Sequence, residues 1–164
     1  MIAMRKITPN LWFDRQAEEA ARFYVSIFPN SKITNLTRFP PEVAKAAQMP
    51  EATVMTVSFE LDGNAFLGLN GGPIFKFSEA VSFIVDCKDQ EEVDYFWDRL
   101  TAGGGEPGQC GWLKDRFGLS WQIVPSVLPK LMTQSDPEKQ RKVGAAMMKM
   151  KKIDIAALEQ AAEG

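Results

Sequence analysis

LWFDRQAEEAARFYVSIF, Leu11 to Phe28, and FIVDCKDQEEVDYFWDRL, Phe83 to Leu100, decide the fold. Each opens with apolar residues, breaks at a polar turn and continues as an amphipathic segment with apolar residues every three or four positions. Ala20, Phe23, Tyr24, Ile27 and Phe28 share a helical face in the first, and Val93, Phe96, Trp97 and Leu100 do so in the second. An offset of 72 residues, set by Asp14 and Asp86, places Glu19 on Glu91, Phe23 on Tyr95, Tyr24 on Phe96 and Phe28 on Leu100. The chain reads as two copies of one strand–helix plan.

The segments around each helix extend the repeat. Ile7 to Phe13 is the expected first strand, with Pro9 marking an edge or a late start. Pro29-Asn30-Ser31 stops the first helix, Ala17 to Phe28. Ile33 to Phe39 then reads as a strand, and the loop Pro40 to Pro50 holds a helical turn at Glu42 to Ala47. Thr53 to Leu61 alternates, with Met55, Val57, Phe59 and Leu61 on one face and Thr56, Ser58 and Glu60 on the other. Asp62-Gly63 is a hairpin signal, and Asn64 to Leu69 is the return strand. In the second copy, the strand Val81 to Cys87 and the helix Gln90 to Thr101 precede Gly103-Gly104-Gly105. Strands at Gln109 to Leu113 and Leu119 to Val124 flank a turn at Lys114 to Gly118.

A lone βαβββ unit buries one sheet face, so two together make the stable object. The expected fold is α+β, with two tandem βαβββ modules, residues 1–73 and 74–126, forming curved mixed sheets with outer helices. A helical C-terminal tail, 127–164, completes the chain. It comprises a short helix at Val127 to Met132, a helix begun by Asp136-Pro137 with the stripe Val143, Met147, Met150, and a last helix capped by Asp154.

Composition narrows the function. Of 164 residues, 45% are hydrophobic and 24% charged, the mix of a globular domain. Nineteen basic against 21 acidic residues give a net charge of −2, which disfavours nucleic acid as a partner. No apolar run has the ~18 residues of a membrane span. No apolar core comes after Arg5 and Lys6 as in a signal peptide. Two cysteines, Cys87 and Cys110, are too few for a disulfide scaffold, so a reducing, cytoplasmic setting is expected. The chain has no histidine, which excludes Ser-His-Asp and Cys-His catalysis and the usual zinc sites.

The remaining candidates are few. Trp97 and Trp121 fall on core faces, whereas Trp12 and Trp112 are placed either in the core or against a flat apolar ligand. Asn70, at a strand end before Gly71-Gly72-Pro73, orients a ligand or shapes the turn. Cys110, beside Trp112, is a reactive thiol or a small buried one in a strand. Gly103, Gly105 and Gly108 match Gly-x-Gly-x-x-Gly, but after a helix rather than a strand, so they read as a helix cap and loop.

LWFDRQAEEAARFYVSIFPNSKI, FLGLNGG, EAVSFIVDCKDQEEVDYFWDRL and GQCGWLKDRFGLSWQIVP resemble the PhnB-like group of the vicinal oxygen chelate superfamily, a group often described as 3-demethylubiquinone-9 3-methyltransferases. In metal-using members, inward residues of the first strand of each half and of the last strand hold a divalent ion. Matching Asp115-Arg116-Phe117-Gly118 to the family's turn places Gln122 at the last-strand carboxylate position. The fifth-strand position falls on Ser82 or Glu79, and the first on Ile7 or Pro9. The resemblance therefore implies an empty metal site, with Glu79 its one doubtful ligand, and no cofactor. It also implies a homodimer. The leading expectation is a metal-free protein that sequesters a small apolar or aromatic molecule, with Trp12, Asn70, Ser82, Cys110, Trp112 and Gln122 as pocket candidates. The alternatives are an enzyme of the superfamily, lyase, isomerase or methyltransferase, and a protein-interaction module whose tail recruits a partner.

Overall fold

A computed structural model describes residues 5–134 and 136–164 of the chain. The chain forms two compact units, one ending at Lys76 and one running from Phe77 to Gly164. The first unit contains β1 (Asn10–Phe13), α1 (Ala17–Ile27), β2 (Lys32–Arg38), α2 (Pro41–Ala47), β3 (Val54–Leu61) and β4 (Asn64–Asn70). The second contains β5 (Ser82–Cys87), α3 (Gln90–Thr101), β6 (Glu106–Pro107), β7 (Trp112–Lys114) and β8 (Ser120–Pro125), then the tail helices. The sheets run β1-β4-β3-β2 and β5-β8-β7-β6. In each, the first and last strands are parallel and the other pairs antiparallel. Both expected βαβββ modules are present.

One face of each sheet carries its helix. Ala17, Ala20, Ala21, Tyr24 and Ile27 are the buried residues of α1. Tyr24 stacks on Phe59, and a Cβ at Gly68 would lie 3.4 Å from that of Ala17. In α3 the buried residues are Val93, Phe96, Trp97 and Leu100. At the offset of 72, Ala21 and Val93, and Tyr24 and Phe96, are buried on their helices alike. At the hairpin, Asp62 and Gly63 both have positive φ (47° and 74°), the pair a two-residue turn between twisted strands needs.

Beyond one-residue shifts and the unexpected short strand β6, the strands differ from expectation at two places. β1 starts at Asn10, because Pro9 has no N–H to give the ladder; its carbonyl still accepts from Leu67 N, and Ile7 before it is 88% exposed. Gln109 to Gly111 is a turn rather than the start of a strand, so Cys110 is not a strand thiol. Cys110 adopts φ 57° and Gly111 φ 83°. A Cβ at Gly111 would come within 2.8 Å of the Ile123 carbonyl, so only glycine allows that approach.

The tail is built into the second unit. Its helices are α4 (Val127–Thr133), α5 (Pro137–Met147) and α6 (Ile155–Glu163). Asp136 and Asp154 cap α5 and α6, accepting from Glu138 N and Ala157 N. Leu128, Val143, Ile153, Leu158 and Ala162 form their core, with Met147 and Met150 packed against it. The segment before α6 is strapped down by backbone bonds: Cys110 N donates to Met150 O (2.8 Å) and Gly111 N to Lys151 O (2.7 Å). The Gln90 amide then donates to Ile153 O (3.0 Å) and accepts from Ile155 N (2.9 Å).

Two outcomes are expected. Ile153→Ala, at a fully buried position, lowers unfolding free energy in urea by about 2–4 kcal/mol; a loss under about 1 kcal/mol would show that the tail adds little to the fold. The thiols should also separate. Cys87 is buried at the end of β5, and burial pushes its thiol up to about 12, so it stays protonated and unreactive at pH 8. Iodoacetamide on the native protein then labels one site, Cys110; equal labelling of both would contradict this placement.

Candidate functional site

The register of the first sheet places residues in rows across the face opposite α1. Since Phe59 and Gly68 point to the helix, Ser58, Glu60, Ala65, Leu67 and Leu69 point away from it. One row is Lys32–Glu60–Ala65, the next Asn35–Ser58–Leu67–Asn10, and the third Thr37–Thr56–Leu69–Trp12. The first two rows, apart from Asn10, line a cleft of about 800 Å³, with Thr8 and the bulged Thr34 also in its lining. Its floor is apolar at Ala65 and Leu67, and Asn35 and Ser58 add neutral hydrogen-bonding groups.

Trp12 lies in the third row, beside the cleft but outside its lining. Its Nε1 donates to Gly72 O (2.9 Å), and Phe75 meets its ring edge-on at 4.8 Å. A Cβ on Gly71 would collide with the indole, so the glycine there is required by close approach. Of the two roles open to Asn70, the structure gives it a structural one rather than a place in the cleft. Asn70 is 2% exposed on the helix side of β4, where Oδ1 accepts from Ala17 N (2.8 Å) and Nδ2 donates to Val54 O (2.9 Å). Because Gln16 makes no side-chain cap, Asn70 satisfies the free N–H at the start of α1 from across the fold. It is a structural residue.

In the second sheet, the face opposite α3 carries Ser82–Ser120–Lys114–Glu106 in one row and Ile84–Gln122–Trp112 in the next. Ser82, Trp112 and Gln122 are thus brought together. Gln122 Nε2 donates to Ser82 Oγ (2.9 Å). Ser120, 1% exposed, has a hydroxyl with no hydrogen-bond partner among the described residues. Glu79 is ion-paired to Lys114. The Lys114 ammonium holds the Glu79 carboxyl below the usual carboxylate range, and Glu79 raises Lys114 in turn. Cys110 faces the tail instead, with its Sγ 3.8 Å from Met148 Sδ.

A divalent metal does not fit this donor set. Gln122 and Ser82 are neutral and bonded to each other, and the one carboxylate, Glu79, is held by a cation. Among the described residues no group of three His, Cys, Asp or Glu side chains is placed to hold a metal. The offset of 72 pairs Ser82 with Asn10, since Asn10 opposes Leu67 as Ser82 opposes Ser120. The first-strand position is therefore Asn10, rather than Ile7 or Pro9. Asp115 is structural: Oδ1 accepts from Phe117 N and Leu119 N, and Oδ2 from Trp121 Nε1 (2.9 Å), which folds the turn before β8. Gly103 and Gly104 leave α3 with positive φ, and a Cβ at Gly105 would collide with Thr101, so the glycine motif is a helix exit.

Comparison with known proteins agrees with this architecture. No protein of curated function matches the chain in sequence. A PhnB protein from Bacillus cereus, described as a 3-demethylubiquinone-9 3-methyltransferase, is 30% identical, with TM-score 0.61 over 74% of this chain and 100% of its own. A protein from Pseudomonas aeruginosa is 18% identical with TM-score 0.60, covering 74% of this chain and 98% of its own. The fosfomycin resistance protein FosX from Listeria monocytogenes is 15% identical with TM-score 0.54, over 82% and 100% of the two chains, and shares the fold. The profile of the family described as 3-demethylubiquinone-9 3-methyltransferase matches residues 5–124, and the chain belongs to that family, with the fold of the vicinal oxygen chelate superfamily.

Proposed function

We propose that the protein binds a small, largely apolar molecule on the helix-free face of its first sheet, without a metal, and sequesters rather than transforms it. The observation that carries this reading is the cleft of about 800 Å³ over Ala65 and Leu67, a volume in the range of small-molecule sites. Its edges offer hydroxyl and amide groups and the opposed charges of Lys32 and Glu60, which orient a ligand. The donor set at Ser82, Gln122 and Glu79 supports the absence of a metal. The family description names methyl transfer, but the glycines that match a nucleotide-loop pattern are occupied in ending α3.

The neutral fluorophore N-phenyl-1-naphthylamine tests the reading in buffer containing EDTA. It should bind and brighten, and Leu67→Arg, which puts a charge on the cleft floor, should weaken binding at least about tenfold. Absence of binding, or equal binding by the variant, would contradict the proposal.

We also propose a homodimer in the cytoplasm. Ile74, Phe75, Val81 and Ile84 are each more than 60% exposed, which favours self-association, and the two free thiols suit a reducing compartment. Light scattering should give twice the chain mass at micromolar concentration; a stable monomer would reject the dimer.

A further inference from the structure

We infer that the ligand of the first-sheet cleft is amphoteric: an apolar α-amino acid, with its ammonium on Glu60 and its carboxylate on Lys32. The inference rests on the cleft being a small-molecule site, and names the class of molecule it takes. Lys32 and Glu60 are directly opposed on neighbouring antiparallel strands at one end of the cleft. Opposed residues carry their Cβ atoms about 5 Å apart, so the two charges serve groups borne on adjacent atoms of one ligand. Among the described residues no salt bridge joins Lys32 to Glu60, and neither is tied to another charge. This contrasts with Lys114 and Glu79 on the second sheet, which are engaged with each other.

The rest of the cleft fits the rest of such a molecule. Two residues along a strand, about 7 Å from the charged row, come Ser58 and Leu67. An aromatic or branched aliphatic side chain spans that distance and lies over Ala65 and Leu67. Asn35 and Ser58 provide neutral hydrogen bonds beside it. A ligand lying across the cleft also shields both ion pairs from water, which strengthens them beyond their solvated value. A purely apolar ligand can still lie over Ala65 and Leu67 but gains nothing from Lys32 and Glu60.

Calorimetric titration of the full chain with four probes tests this. L-phenylalanine carries both charges, phenethylamine only the cation, 3-phenylpropionate only the anion, and N-phenyl-1-naphthylamine neither. L-phenylalanine should bind at least about tenfold more tightly than either singly charged analogue. In Glu60→Gln the advantage of L-phenylalanine over 3-phenylpropionate should vanish, and in Lys32→Gln its advantage over phenethylamine should vanish. Both substitutions remove a charge while keeping a polar side chain at a solvent-accessible position, and a thermal melt of each verifies folding. If the neutral probe binds while L-phenylalanine gains nothing over the singly charged analogues, the amphoteric assignment fails and the cleft stands as a plain apolar site. If none of the four binds, both the assignment and the cleft as a ligand site fall. A preference for L-phenylalanine that survives in both variants would also overturn the roles of Lys32 and Glu60.

Discussion

Parallel pairing of the first and last strands of each module is the constraint on which the rest depends. Once β1 lies beside β4, and β5 beside β8, the intervening helix can cover only one face of its sheet. α1 and α3 each take that face, burying Tyr24 against Phe59 and leaving the second face of the same strands to a mixture of polar and apolar residues. The strand that buries Val57 and Phe59 therefore also presents Ser58 and Glu60 on the opposite face, along the cleft. Core and cleft are two sides of one alternation, and a one-residue slip in register would exchange them.

The two modules use this shared plan differently. In the first, the hairpin β3–β4 and the edge strand β2 supply long rows, and the bulged Thr34 lines a cleft that also holds Lys32 and Glu60. In the second, β6 has two residues and β7 three, so the rows are short. Their polar groups are largely consumed internally, Gln122 by Ser82 and Lys114 by Glu79. The tail adds to this commitment, since its backbone fixes the turn at Cys110 and Gly111 immediately before Trp112. Repetition has given one fold, and the two sheets differ in how far their polar groups are engaged with one another.

Much of the fold is legible in the sequence because hydrophobic period reports burial directly. The spacing of Val93, Phe96, Trp97 and Leu100 marks α3, and the alternation from Thr53 to Leu61 matches β3 to within a residue. Asp62-Gly63 marks its turn because that turn demands positive φ. Periodicity misplaces Cys110, because nothing local shows that a tail 40 residues onward hydrogen-bonds its N–H. Asn70 is ambiguous for the same reason: its partners, Ala17 and Val54, are remote. The cleft itself escapes a linear reading. Lys32, Asn35, Ser58, Glu60, Ala65 and Leu67 form no motif in one dimension, and only strand order and register assemble them. The outward phase of Ser58 and Glu60 is visible, but outward polar residues are ordinarily solvated.

The central claim, that ligand chemistry belongs to the first sheet rather than to the superfamily's metal positions, is tested most directly by backbone amide chemical shifts during titration with L-phenylalanine. The account predicts saturable shifts concentrated at Lys32, Asn35, Ser58, Glu60, Ala65 and Leu67. Shifts centred instead on Ser82, Trp112 and Gln122 would contradict it.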